Sequence, residues 1–287
     1  APFIPCLQTR AFWTVFLVKG DDLGWTDGVN AGIEKAARDG ILTAAGCMPN
    51  MEAAERGIRL LQKYPHVSIG QHTNVVNGRP CTDPKLIPHM VEEDGTFHST
   101  RYYRSIMKEI AVEAETDVLP YYEEAVTEIR AQLERFIQMA GRKPAYLEGH
   151  SIPSPTFEKA LKDIAAEEDI IYLDIVSGGE EPDYGVYQPK DIGRAAMSVF
   201  SGTDPFAQFS ADVIHDIVTD HYGVLSHDIA RLLFHPGFVD AELMAQSSFN
   251  GIRTRDCMAL CSEEVKQLVR DNQIELINYS DLKRKKT

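Results

Sequence analysis

An α/β domain of parallel strands is what this sequence predicts. A (β/α) barrel, closed or nearly closed, with an inserted irregular excursion is the preferred architecture, and a doubly wound open sheet is second. Three observations carry that expectation. Strand-length apolar runs alternate with amphipathic helical stretches, six to seven times along the chain, the rhythm of βαβ units. No linker, fixed-period repeat or low-complexity tract divides the 287 residues, so 1–287 reads as one domain. A hydrophobic share of 44% with 25% charged residues is enough apolar material to bury a core.

The elements follow in order. Trp13 to Val18 is β-branched and aromatic and ends on the turn signal Gly20-Asp21-Asp22-Leu23-Gly24. Asp27 to Arg38 carries Val29, Ile33, Ala36 and Ala37 on one stripe, with Gly40 as its stop. Ile41 to Met48 is the second strand, Met51 to Tyr64 the second helix, and His66 to His72 the third strand. A polar, proline-bearing stretch from Asn77 to Ser99 breaks the rhythm. A long helix over about Tyr121 to Met139 follows, then a strand at Pro144 to His150, a helix at Ser154 to Glu168 and a strand at Ile170 to Val176. Gly178 to Phe200, rich in Gly, Pro and charge, is the excursion. Ala211 to His221 is helical, Arg231 to Pro236 is a strand, and the chain ends on a helix at Ser262 to Arg270 and a strand at Ile274 to Asn278.

Composition removes several classes of function. With 43 acidic against 29 basic side chains the formal charge is −14, and nucleic acid is excluded as a main partner because phosphate neutralisation needs clustered Lys and Arg. The one basic run, Lys283 to Lys286, reads as a solvated tail. No stretch approaches the ~20 apolar residues that cross a bilayer, so a membrane partner is not expected. Ala1 to Gln8 lacks the charged segment and apolar core of a signal peptide. The five cysteines, Cys6, Cys47, Cys81, Cys257 and Cys261, include no CxxC pair. Idle thiols in a reducing compartment, the cytoplasm, are the expectation.

Four polar clusters stand where an apolar strand gives way to a loop: Asp21-Asp22, His72, His150 and His235. In an α/β barrel the C-terminal strand ends converge on one mouth. Each cluster has a plain structural reading beside the chemical one. Asp at a turn commonly caps the next helix, and a histidine beside a strand is commonly a hydrogen-bonded, partly buried side chain. Adjacent carboxylates repel, however, and a divalent cation relieves that repulsion. Two imidazoles plus one carboxylate make a three-ligand set with open positions, and the remaining Asp then stands placed to take a proton from water. His235 could protonate a departing amine or alkoxide. His66, His89, His98, His215, His221 and His227 read as structural, and the Asn278-Tyr279-Ser280 triplet as chance.

These residues resemble the YdjC-like carbohydrate deacetylases. Gly20-Asp21-Asp22-Leu23-Gly24, Gly28 to Ile33 and Gly40 to Thr43 are similar to that family's A-D-D-F-G, G-x-N-x-G-I and G-I-V-T. Ile69 to Asn74 is similar to G-x-H-x-N, Gly141 to His150 to G-x-x-P-x-x-L-D-x-H, and Phe234 to Asp240 and Ile274 to Tyr279 fit in order. The matches run from Lys19 to Leu282. The resemblance implies a barrel hydrolase that removes acetyl groups from N-acetylated sugars with a divalent metal, zinc or magnesium. It implies Asp22, His72 and His150 as metal ligands, Asp21 as general base and His235 as general acid. An acetylated amino sugar or oligosaccharide is the implied partner, and a homodimer is compatible with the sequence.

Two departures stand out. Lys19-Gly20 replaces the family's Asn-Ala, so that Lys19 is free to interact with the paired acids. The run G-H-x-H-x-H is reduced to Gly149-His150-Ser151-Ile152-Pro153-Ser154, with the first His kept. The rival readings are a metal-dependent hydrolase of another amide, ester or phosphate, a non-catalytic sugar-binding relative, and an interaction protein without metal.

Overall fold

The computed structural model describes residues 14–110, 117–174, 179–181, 184–189 and 207–282. Its central strand, β1, spans Val15–Leu23 and continues through the acids where the sequence predicts a turn. Parallel strands flank it: β2 (Ala44–Cys47), β3 (Ser68–Thr73), β4 (Tyr146–Gly149) and β5 (Ile171–Tyr172) on one side, β8 (Ile229–Phe234) and β7 (Val186–Gln188) on the other. β9 (Glu275–Leu276) adds to the start of β1, and β6 (Gly179–Glu181) pairs antiparallel with β7. The order β5-β4-β3-β2-β1-β8-β7-β6 is the cyclic order of a barrel cut open between β5 and β6.

That corrects the closed-barrel expectation. Among the described residues the two ends of the sheet do not pair, and the fold is an open half-barrel of parallel strands. β5 offers only two residues as an edge, and β6 runs antiparallel. The doubly wound alternative fails too, because the helices described below pack on one face. The excursion expected from Gly178 holds the β6–β7 hairpin, and the rest of it lies outside the described residues, as do Cys6 and Lys283 to Lys286.

Side chains alternate across each strand, and the two faces separate cleanly. Phe16 and Val18 of β1, Ala45 and Cys47 of β2, Ile69 of β3, and Ala230, Leu232 and Phe234 of β8 face outward. They pack with Val29 and Ile33 of α1 (Asp27–Asp39) and Ile58 and Leu61 of α2 (Ala54–Leu61). Leu147 of β4 packs with α4 (Tyr122–Ala140) and α5 (Pro155–Glu167). The inner face carries Leu17, Ala44, Tyr146 and Val186 at its base, and then Lys19, Asp21, His72 and Glu148, all at most 2% exposed. An apolar floor under a charged rim is the half-barrel's design.

Helix ends explain why the strand-end acids are free. Thr26 caps α1, accepting from the Val29 amide at 3.3 Å, so neither Asp21 nor Asp22 has that work. Ser154 caps α5 ahead of Pro155, and Gly141, in the left-handed region, closes α4. Helices the sequence left unread are α3 (Thr100–Ile110), α7 (Ala241–Gln246) and α8 (Gly251–Cys261), with α6 (Val213–Val218) and α9 (Glu263–Asp271) among those expected. No helix of the described residues is long and apolar enough to cross a membrane, and the four described cysteines are free.

Candidate functional site

A bulge in β1 creates the site. Between Gly20 and Leu23 the register against β2 shifts by one residue, and Asp22 takes a positive φ of 75°. In a regular strand neighbouring side chains point to opposite faces. The bulge cancels that alternation and turns both carboxylates toward the inner rim. Asp tolerates the left-handed region better than most residues. Gly46 of β2 completes the cradle: a Cβ there would stand 2.7 Å from Asp21 Oδ1 and 2.8 Å from Glu148 Oε1.

Three side chains from three strand ends meet above it. Asp22 Oδ1 lies 3.5 Å from His72 Nε2 and 3.4 Å from His150 Nδ1, and the two ring nitrogens are 2.9 Å apart. Asp22 Oδ1 is buried and has no hydrogen-bond partner, while Oδ2 accepts from Arg253 Nη2 at 2.8 Å. Donors that share a zinc-sized cation at about 2.0–2.2 Å stand about 3.3–3.6 Å apart when tetrahedral; both Asp22 separations match that spacing, and the two rings, now at hydrogen-bond distance, would part by about half an ångström to admit a small divalent ion. Asp21 Oδ2 stays 3.9 Å from His72 Nε2. Asp21, Asp22, His72, His150 and His235 all line one cavity of about 770 Å3, so every residue singled out from the sequence is at this mouth.

The sequence did not single out Glu148 or Arg253, and it raised Lys19 only as a neighbour of the acids. Lys19 Nζ donates to Asp21 Oδ1 and lies 2.7 Å from Glu148 Oε1. Glu148 Oε1 accepts from His72 Nδ1 at 3.0 Å, which turns Nε2 toward Asp22. Arg253, on α8, stacks on Trp25 at 5.0 Å while pairing with Asp22. Strand alternation signals Lys19 and Glu148, each two residues before a recognised site residue. Nothing local signals Arg253, which arrives from 231 residues further on.

Burial and charge work against each other here. Burial opposes ionisation of Asp22, but Arg253 and the His72 ring hold its carboxyl well below the usual carboxylate range. Burial alone would discharge His72, yet Asp21 and Glu148 raise it to about 10. His150, desolvated and beside the His72 cation, is pushed down to about 3 against the pull of Asp22. The imidazole pair thus holds one proton where the three donors converge. His235, its ring edge-on to Phe249 at 5.1 Å, is lowered by burial against Asp22 and Asp21. Asp256 accepts from the His235 amide at 2.7 Å and is itself raised by burial to about 7.

Fold and rim together define an α/β half-barrel protein with a buried carboxylate–imidazole centre at its strand ends. The model of the YdjC-like protein family matches residues 15–271, and the chain belongs to that family. It is 28% identical over 275 residues to carbohydrate deacetylase 2 of Listeria innocua, covering 94% of this chain and 99% of that one. It is 26% identical over 279 residues to a carbohydrate deacetylase of Brevibacillus brevis, covering 93% and 98%. A solved structure from Enterococcus faecalis, described provisionally as a cellobiose-phosphate cleavage protein, superposes with a TM-score of 0.70 at 21% identity over 93% of this chain and 98% of that chain. That likeness bears on the fold.

Proposed function

We propose that this protein hydrolyses the N-acetyl group of an acetylated amino sugar or oligosaccharide and releases acetate, using a divalent cation, zinc or magnesium, held by Asp22, His72 and His150. The observation that carries the reading is the buried, unpartnered Asp22 Oδ1 facing two ring nitrogens within 3.5 Å, with a second carboxylate beside it and outside the set. A bound divalent ion supplies Lewis-acid polarisation of the acetyl carbonyl and lowers the pKa of water.

The chain's own groups do the rest. Asp21, held at Oδ1 by Lys19, accepts the proton of the attacking water. Asp22 stays anionic because Arg253 neutralises its outer oxygen. His235 donates the proton with which the amine leaves, as the carbon–nitrogen bond breaks. Since burial lowers the His235 ring, its acid form empties as pH rises toward neutrality, and turnover limited by that proton declines in the same direction. Trp25, Leu233 and Phe249 line the cavity beside these groups and shield the reacting centre from water.

Arg101 and Arg104, at the start of α3, line the same cavity and form no ion pair among the described residues. They favour a sugar that bears an anionic group. Free thiols fit a cytoplasmic setting.

Acetate release from a panel of N-acetylated amino sugars, measured beside metal content, tests the reading. Asp21→Asn is expected to keep the cation and lose about 100- to 10,000-fold in kcat. Normal turnover by Asp21→Asn overturns the base assignment, and no acetate from any substrate with the cation loaded overturns the deacetylase itself.

A further inference from the structure

The inner face holds a second donor cluster: Asp21, His72 and Glu148 each offer an atom within 4.8 Å of the others. Two carboxylates converge over Gly46 there, at 2% exposure or less. Unpaired, they would repel strongly in so dry a place. The Lys19 ammonium, fully buried, bonds to Asp21 Oδ1 and lies 2.7 Å from Glu148 Oε1.

We propose that Lys19 is a positioning residue whose ammonium fills the place a second cation would otherwise take and clamps Asp21 and Glu148 into working orientation. The inference deepens the deacetylase reading and rests on it for the assay. Lys19 reaches both functions through one nitrogen. Its bond to Asp21 Oδ1 fixes that carboxylate, so that Oδ2 is the oxygen nearer His72. Its contact with Glu148 Oε1 steadies the acceptor that orients His72 Nδ1. Lys19 forms no hydrogen bond or ion pair with Asp22, His72 or His150. Strand alternation places it: Leu17, Lys19 and Asp21 share the inner face of β1, and Lys19 stands one step below the rim. A buried ion pair of this kind gives little net stability, but breaking it by removing one partner is costly.

The test is a cycle of Lys19→Met, Glu148→Gln and the double variant, read by cation stoichiometry, steady-state kinetics and melting of the cation-free protein. Wild-type protein is expected to bind one cation per chain. Lys19→Met is expected to keep that cation and lose about 100-fold in kcat, as for a displaced catalytic group, with KM changed by less than about threefold. It melts well below wild type, and adding Glu148→Gln recovers part of that loss, because the double variant no longer buries two carboxylates against each other with no ammonium between them. Two cations in the wild type, loss of the cation in Lys19→Met, wild-type kcat in Lys19→Met, or a double variant melting no higher than the single each overturn the proposal. If Lys19→Met does not fold, the double variant is read against Glu148→Gln: a further fall in kcat with the cation retained supports the clamp, and a kcat equal to that of Glu148→Gln overturns it. A wild-type protein that releases no acetate overturns the deacetylase reading instead, and the melting cycle still decides the clamp.

Discussion

Loading the cation-free protein with a divalent ion at pH 7 is expected to release close to one proton per ion. His72 Nε2 and His150 Nδ1 are 2.9 Å apart and share a single proton, since His72 is raised to about 10 and His150 lowered to about 3. A ligating imidazole must be neutral. Taking the His72 proton at pH 7 crosses about three pH units, about 4 kcal/mol at 1.36 kcal/mol per unit. Apparent affinity therefore rises about tenfold per pH unit, or about 100-fold between pH 6 and pH 8. Calorimetric titration in buffers of different ionisation enthalpy counts the proton directly. The same group, raised on folding, stabilises the cation-free protein fully below pH 6.5, and that contribution is lost as pH rises through about 10. Heats independent of the buffer, with affinity flat from pH 6 to pH 8, would refute the charge assignment.

Other perturbations probe other parts of the structure. Gly46→Ala, whose methyl would meet Asp21 Oδ1 at 2.7 Å and His72 Cβ at 3.1 Å, is expected to cost about 1–3 kcal/mol in denaturant unfolding and to weaken cation uptake. An unchanged midpoint would show that the carboxylates do not converge there. Asp256, raised by burial to about 7, contributes stability that is present below its ordinary value and lost as pH rises through 7. Wild type should therefore lose up to about 4 kcal/mol relative to Asp256→Asn between pH 4 and pH 7, and parallel stability curves would contradict that. Joint Arg101→Ala and Arg104→Ala is expected to raise KM for an anionic acetylated sugar and leave a neutral one unaffected. Equal effects on both would remove the anionic preference.

Much of this site was legible before the fold was known, because a parallel α/β chain collects its strand ends and four polar clusters stood at them. Asp21, Asp22, His72, His150 and His235 all reach one cavity for that reason. What stayed hidden depended on three dimensions. The bulge that turns two adjacent acids to one side comes from register against β2, which no local pattern in β1 reveals. Arg253 reaches Asp22 from α8 by tertiary packing, and α8 has no apolar stripe to announce it: Arg253 and Asp256 are as buried as Ile252 and Leu260. Closure is not readable in the same way, because strand count and alternation do not report whether the last edges meet. The β6–β7 hairpin hid in a Gly- and Pro-rich stretch for a similar reason, since such composition marks turns and not the short strands between them.

The proposed function stands on Asp22, His72 and His150 holding one cation while Asp21 stays outside its ligand set. Anomalous diffraction from crystals soaked in zinc tests it most directly. A single peak bonded to Asp22 Oδ1, His72 Nε2 and His150 Nδ1, with Lys19 still on Asp21, is the expected result. A peak ligated by Asp21 and Glu148, or none at the rim of the half-barrel, would contradict it.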